Sequence, residues 1–296
     1  MFSRWKVPLV LLLSVASACL LTYPLWCLGQ WAIQEWGWIG LSKYGVQKYF
    51  NRSFLLCAVV GALVARPKLG TVGGNPVSST FDGPHLVRGL GLGTLAFAVL
   101  LAMGFGWSCI TLSGGKAFIS VVGKALVAAA AVGFLEEWLF RKHLLNAACR
   151  RFGLLVGPWL VAVLFASVHF LKPTAPPVGM EIDAWVGFRL LPLIFHRYAD
   201  PASVLGGWLT LVALGVLLSR LALGSGRIWA SVGVHAAVIF WNKVLSSQFT
   251  VGHCDPWFAG NFQTGAIPLL TLSVMAVCAV GRRKQSTGPH ESHGNA

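Results

Sequence analysis

Glu136 and Glu137 stand side by side at the end of the apolar run Ala125–Leu135, with Arg141 one helical turn further on. The 296-residue chain holds only 9 Asp and Glu residues in all. Two adjacent carboxylates in apolar sequence therefore point to chemistry, because ionisable groups at membrane depth are costly and mark pathways or catalytic sites. At about 100° per residue, Glu137 and Arg141 fall on one helix face as i,i+4 partners, while Glu136 points about 100° away. The arginine can thus hold Glu137 ionised, and Glu136 is the carboxylate assigned to taking and giving protons.

Two histidines can join the acids. If the helices on either side of Gly153 run antiparallel, Glu137 and His169 are each 16 residues from the turn and lie at one depth. His235 sits inside the apolar stretch Ile228–Leu245. Asn242 follows it about 20° off the same face and roughly 10.5 Å further along the helix, as polar or oxyanion support two turns away. Glu136, His169 and His235 make the donor set that zinc accepts while leaving a position open for water. The same groups work without metal if Glu136 and His169 deprotonate water and His235 stabilises the oxyanion. Both routes stay open at this point.

The elements that must position these residues are membrane helices. Hydrophobic residues make up 56% of the chain and charged ones 11%, and the mean hydropathy is +0.70. Those values exclude a soluble globule and fit a polytopic membrane protein. A net charge of +14 does not indicate nucleic acid, since Lys and Arg sit at the ends of apolar runs rather than along one stripe. Seven cysteines without a C-x-x-C pair argue against a disulfide framework. Eight spans are expected, roughly Val7–Gly29, Phe54–Ala65 with flanks, Leu86–Ile110, Ala117–Phe140, Leu154–Leu171, Ala202–Ala222, Ile228–Leu245 and Gly265–Val280. Each is long enough for a core of ~30 Å at ~1.5 Å per residue once interfacial ends are allowed.

Basic clusters at Arg4/Lys6, Arg66–Arg88, Arg141–Arg151, Arg220/Arg227 and Arg282–Lys284 fall on one side of an eight-span arrangement. Positive residues face inward, so both termini are expected in the cytoplasm of an inner (plasma) membrane protein. Lys43, Lys48, Arg52, Lys116 and Lys172 count the other way. Arg4, Lys6 and Ala16-Ser17-Ala18 also fit a signal peptide, but apolar sequence runs on to Leu28, as in an uncleaved anchor. Gln30–Tyr49, rich in Trp and Tyr, reads as an interfacial belt. Lys172–Asp200, opening with three prolines, reads as a loop with an interfacial or re-entrant helix. Gly89, Gly91 and Gly93 read as close helix packing, Gly224-Ser225-Gly226 as a turn, and His143, His196 and His253 as residues outside the site.

Glu136-Glu137-x-x-x-Arg141, Phe165-x-x-x-His169 and the late His235 together resemble the CPBP (Abi) family of intramembrane proteases, which includes the CAAX prenyl endopeptidases. The resemblance covers roughly residues 117–246. It implies an all-α, eight-helix membrane bundle with an intramembrane catalytic cavity, Glu136 and His169 as water activators, His235 as a catalytic or zinc-binding residue, and Glu137 with Arg141 orienting the site. It also implies a membrane-associated protein or peptide as substrate. Residues 1–116 then form N-terminal helices with an interfacial segment, 117–281 the catalytic core and 282–296 a polar cytoplasmic tail. Two positions depart from the family pattern: Lys142 replaces a frequent Gly, and Ile239 a frequent Asn one turn after the last histidine. Two rivals are a transport protein relaying protons through Glu136, Glu137 and His169, and a catalytically silent immunity or scaffold protein.

Overall fold

The computed structural model describes residues 6–64, 77–106, 110–112, 118–251 and 266–281. The tail 282–296, the basic residues Arg66, Lys68 and Arg282–Lys284, and His253 lie outside them. Apolar runs of this length satisfy their backbone groups internally only as helices, and helices dominate the chain. In order they are α1 (Lys6–Trp36), α2 (Val46–Val64), α3 (Gly83–Gly106), α4 (Phe118–Glu137), α5 (Asn146–Phe170), α6 (Val186–Leu190), α7 (Pro201–Ser225), α8 (Trp229–Gln248) and α9 (Ala266–Gly281). A π-helical turn, Trp138–Leu145, joins α4 to α5. Two three-residue strands, β1 (Ile110–Leu112) and β2 (Phe249–Val251), pair antiparallel with Thr111 opposite Thr250.

The protein is a membrane protein, and each expected span overlaps one of these helices, although Ile110, the expected end of the third span, lies in β1 rather than in α3. Four helical stretches are long and apolar enough to cross a membrane: Leu12–Trp36, Gly83–Ala102, Phe118–Phe170 and Pro201–Ser225. The third has 53 residues, about 80 Å if straight, against a core of ~30 Å. It holds two of the expected spans, and Gly153, at φ 80° and ψ 170°, breaks the helix between them. That backbone conformation suits glycine, which has no Cβ to clash. The second expected span starts earlier than its apolar segment, at Val46, because the polar first turns of α2 fold as helix too. Large apolar side chains such as Leu155 (87% exposed) and Ile119 (86% exposed) face outward, as lipid contact permits.

The chain forms two compact units, Met1–Gly70 with Ser167–Leu205, and Thr71–Ala166 with Gly206–Ala296. In the first, α1 packs on α2 and on α6, around Cys19, Val46, Phe50, Val186, Leu190 and Ile194. α1 runs seven residues past its expected end at Gly29 and carries Trp31 and Trp36 with it, in edge contact at 4.6 Å. The segment after Lys172 is a loop, as expected, tied by Arg189 to Asp183 (2.5 Å) and to the Glu181 carbonyl (2.7 Å). It leads into the short buried α6 and a 3-10 stretch, Pro192–Ala199. In the second unit α8 packs against both α3 and α4.

Candidate active site

The second unit is organised around α8, whose residues 230–237 are buried without interruption. Small residues let neighbouring backbones come close. Gly89 of α3 stands against the Ala230 carbonyl, and Gly233 against the Leu86 carbonyl, so that a Cβ at either would collide. On the other side, a Cβ at Gly133 of α4 would come within 3.3 Å of Ala236. One turn beyond Gly133, α4 brings Glu137 to His235.

Glu137 Oε1 lies 3.1 Å from Arg141 Nη1 and 2.8 Å from His235 Nδ1. Both the Glu137 and Arg141 side chains are wholly inaccessible. Arg141 also donates from Nη2 to the Gly215 carbonyl at 3.2 Å, and its guanidinium lies 4.7 Å from the Phe165 ring centroid. Phe165 packs edge-on against His235 at 5.6 Å. Arg141 and Phe165 are each twelve residues from Gly153, so the register expected for that turn holds at this level. A buried ion pair is stable only when its remaining hydrogen-bonding capacity is met and the charges are balanced nearby. Here a histidine, a carbonyl and an aromatic face surround the pair, while Glu137 Oε2 and Arg141 Nε have no hydrogen-bond partner among the described residues.

Glu136 is the more accessible carboxylate, with 18% of its side chain exposed. Its Oε2 is 3.7 Å from His235 Nε2, beyond direct hydrogen-bond reach. His235 therefore stands between the two acids, bonded to one through Nδ1 and facing the other through Nε2. The contact from Glu137 to Nδ1 orients the imidazole so that Nε2 faces Glu136. The exposed part of Glu136 does not include Oε2, which is closed to solvent where it faces His235.

His169 lies in the last turn of α5 and belongs to the first unit. Asn242 is two turns beyond His235 on α8, and its carbonyl accepts the Ser246 hydroxyl. No hydrogen bond among the described residues joins its side chain to the acids. Ile239, one turn after His235, is half-buried. His143 lies in the π turn, its ring 4.3 Å from that of Trp138. Among the described residues, no three His, Cys, Asp or Glu side chains gather as a metal-ligand set. Since Nδ1 of His235 is engaged by Glu137, the donors this unit's cluster offers a metal are His235 Nε2 and Glu136, where catalytic zinc usually takes three protein donors. No step is therefore assigned to a metal.

Asn146 is a supporting residue that motif reading does not single out. Its amide oxygen accepts the Val77 N–H at 3.0 Å, and its nitrogen donates to the Val77 carbonyl at 3.1 Å and the Lys142 carbonyl at 2.7 Å. Lys142 itself reaches the Ser79 hydroxyl at 2.6 Å. Residues 77–79 are thus tied to the start of α5 and the π turn that carries Arg141. π turns recur at functional sites. The only sequence signal was a polar amide in an apolar run.

Residues 118–241 match the family model described as type II CAAX prenyl endopeptidase, Rce1-like. The resemblance to these intramembrane proteases is borne out over that segment, which contains Glu136, Glu137, Arg141, His169 and His235 and ends one residue before Asn242. No curated protein and no solved structure matches the chain.

Proposed function

We propose, from the Rce1-like domain at residues 118–241, that this chain is an intramembrane endopeptidase of the CAAX-protease type. The observation that carries the reading is His235 held between two carboxylates, 2.8 Å from Glu137 and 3.7 Å from Glu136. Glu136 is the water-activating base, with His169 assigned as its partner by motif order. The resulting hydroxide attacks the scissile carbonyl. His235, held at Nδ1 by Glu137, stabilises the developing oxyanion from its Nε2 side, and Glu136 returns its proton to the leaving amine as the C–N bond breaks. Arg141 and Glu137 are positioning residues, since they act through His235. Zinc assistance needs a third donor besides Glu136 and His235, and His169 is the residue assigned to that alternative.

The substrate is a membrane-associated protein or peptide, and a prenylated CAAX tail is the finer form of that reading. The distribution of Lys and Arg supports placement in a plasma membrane with both termini cytoplasmic. Quantitative proteomics of membrane fractions from wild-type and Glu136→Ala cells tests the function and finds substrates together. Uncut precursors are expected to accumulate in the variant. Identical peptide termini in both strains count against the proposal.

A further inference from the structure

The second unit contains a pocket of about 370 Å³ away from the acids. Its walls come from helix ends gathered on one side: the start of α3, the last turns of α7, the first turn of α8 and the last turns of α9. Arg88, Arg220, His85 and Ser225 supply its polar lining, and Leu92, Leu217 and Val274 part of its apolar wall. Val274 is 60% exposed, so the apolar wall continues onto the lipid-facing surface.

The charge balance of this pocket is uneven. Among the described residues of this unit, the acids are Asp82, Glu136 and Glu137. Glu137 is committed to Arg141 and His235, and Glu136 faces His235. Asp82 is shared by His85 Nδ1 and Arg227 Nη1, each at 2.9 Å. Arg88 and Arg220 therefore line an apolar pocket with no acid among the described residues to neutralise them. An anion would balance these two arginines, and the apolar wall suits a chain beside it.

We infer that the pocket is a binding site for an anionic phospholipid, with the phosphate held by Arg88 and Arg220 and an acyl chain laid along Leu92, Leu217 and Val274. Basic pockets between membrane helices on the cytoplasmic side are suited to anionic headgroups. Expectation places Arg88, Arg220 and Arg227 on that side. Both arginines can form bidentate hydrogen bonds to phosphate oxygens. A bound lipid here would seat α3, α7 and α9 against the first turn of α8, the helix that carries His235. The site is independent of the catalytic reading, and its test needs no activity.

The test is lipid binding to the purified full chain in neutral detergent, read by native mass spectrometry with dioctanoyl phosphatidylglycerol as probe. Wild type is expected to bind it at least tenfold more tightly than dioctanoyl phosphatidylcholine. R88Q/R220Q is expected to weaken binding by about thirty-fold, from about one unit of headgroup attraction per arginine. R150Q/R151Q removes the same charge elsewhere and is expected to leave binding unchanged. Leu92→Trp keeps both arginines but fills the apolar wall, and is expected to weaken binding as well. Equal losses in R88Q/R220Q and R150Q/R151Q would show only diffuse charge attraction and overturn the site. Displacement of the lipid by equimolar inorganic phosphate would overturn the lipid as its ligand.

Discussion

Glu137 Oε1 and His235 Nδ1 lie 2.8 Å apart in a part of the protein closed to solvent. The same oxygen receives Arg141, so one carboxylate fixes both a cation and a histidine. Glu136, beside it in sequence, is left with the accessible position and the far nitrogen of that histidine. Two adjacent glutamates thus stand in different surroundings because their helix turns only one of them into the core.

Removing the cation should cost stability as well as activity. Arg141→Ala leaves Glu137 buried without its charge partner and also loses the Phe165 and Gly215 contacts. Breaking a buried pair costs about 3–5 kcal/mol, measured as a lower midpoint of unfolding in mixed detergent micelles. Unchanged stability would mean that the pair does not hold the fold together.

Glu136→Gln should separate chemistry from folding. The side chain stays nearly the same size, so stability should move by less than about 1 kcal/mol, whereas loss of a general base lowers turnover by about 10²–10⁴-fold. Turnover and unfolding measured on one preparation check both halves of the prediction.

Gly133 sets the distance between α4 and α8. Gly133→Val adds branched atoms where even a single Cβ is tight against Ala236, so Glu137 and His235 should move apart. Loss of cleavage with retained membrane insertion is expected, and Gly133→Ala should show a smaller loss. Equal activity in all three proteins would show that the crossing is not what positions His235.

Asp82 provides a pH test outside the membrane core. The His85 side chain and the His85 N–H hold its carboxyl below the usual carboxylate range, with Arg227 adding to the effect. A lowered folded value stabilises the protein above the ordinary carboxylate pKa of about 3.9, and the contribution disappears as pH falls through the folded value. Stability of wild type should therefore drop more steeply than that of Asp82→Asn below about pH 4. Parallel curves for the two proteins would contradict this.

Much of the fold was legible because twenty-residue apolar runs bounded by basic residues admit few structures in lipid. The Glu137–Arg141 pair was legible for a similar reason, since i,i+4 spacing on a helix is local geometry. His235 was legible as a candidate but not in its bonding, because contact with Glu137 depends on α4 crossing α8 at Gly133 and Ala236. Neither small residue announces its partner. The grip of Asn146 on Val77 spans 69 positions, and the π turn at Arg141 has no distinct composition. Asn242 shows the converse: its face was read from helical phase, but two turns of rise separate it from His235.

Glu136 is expected to activate water for peptide cleavage inside the membrane. This is tested most directly with the purified full chain in liposomes, a fluorogenic membrane peptide, and wild type compared with Glu136→Ala and His169→Ala. Cleavage by wild type and loss of at least a hundred-fold in both variants is the predicted result. Normal cleavage by either variant, or proton-driven flux with no cleavage by wild type, would contradict it.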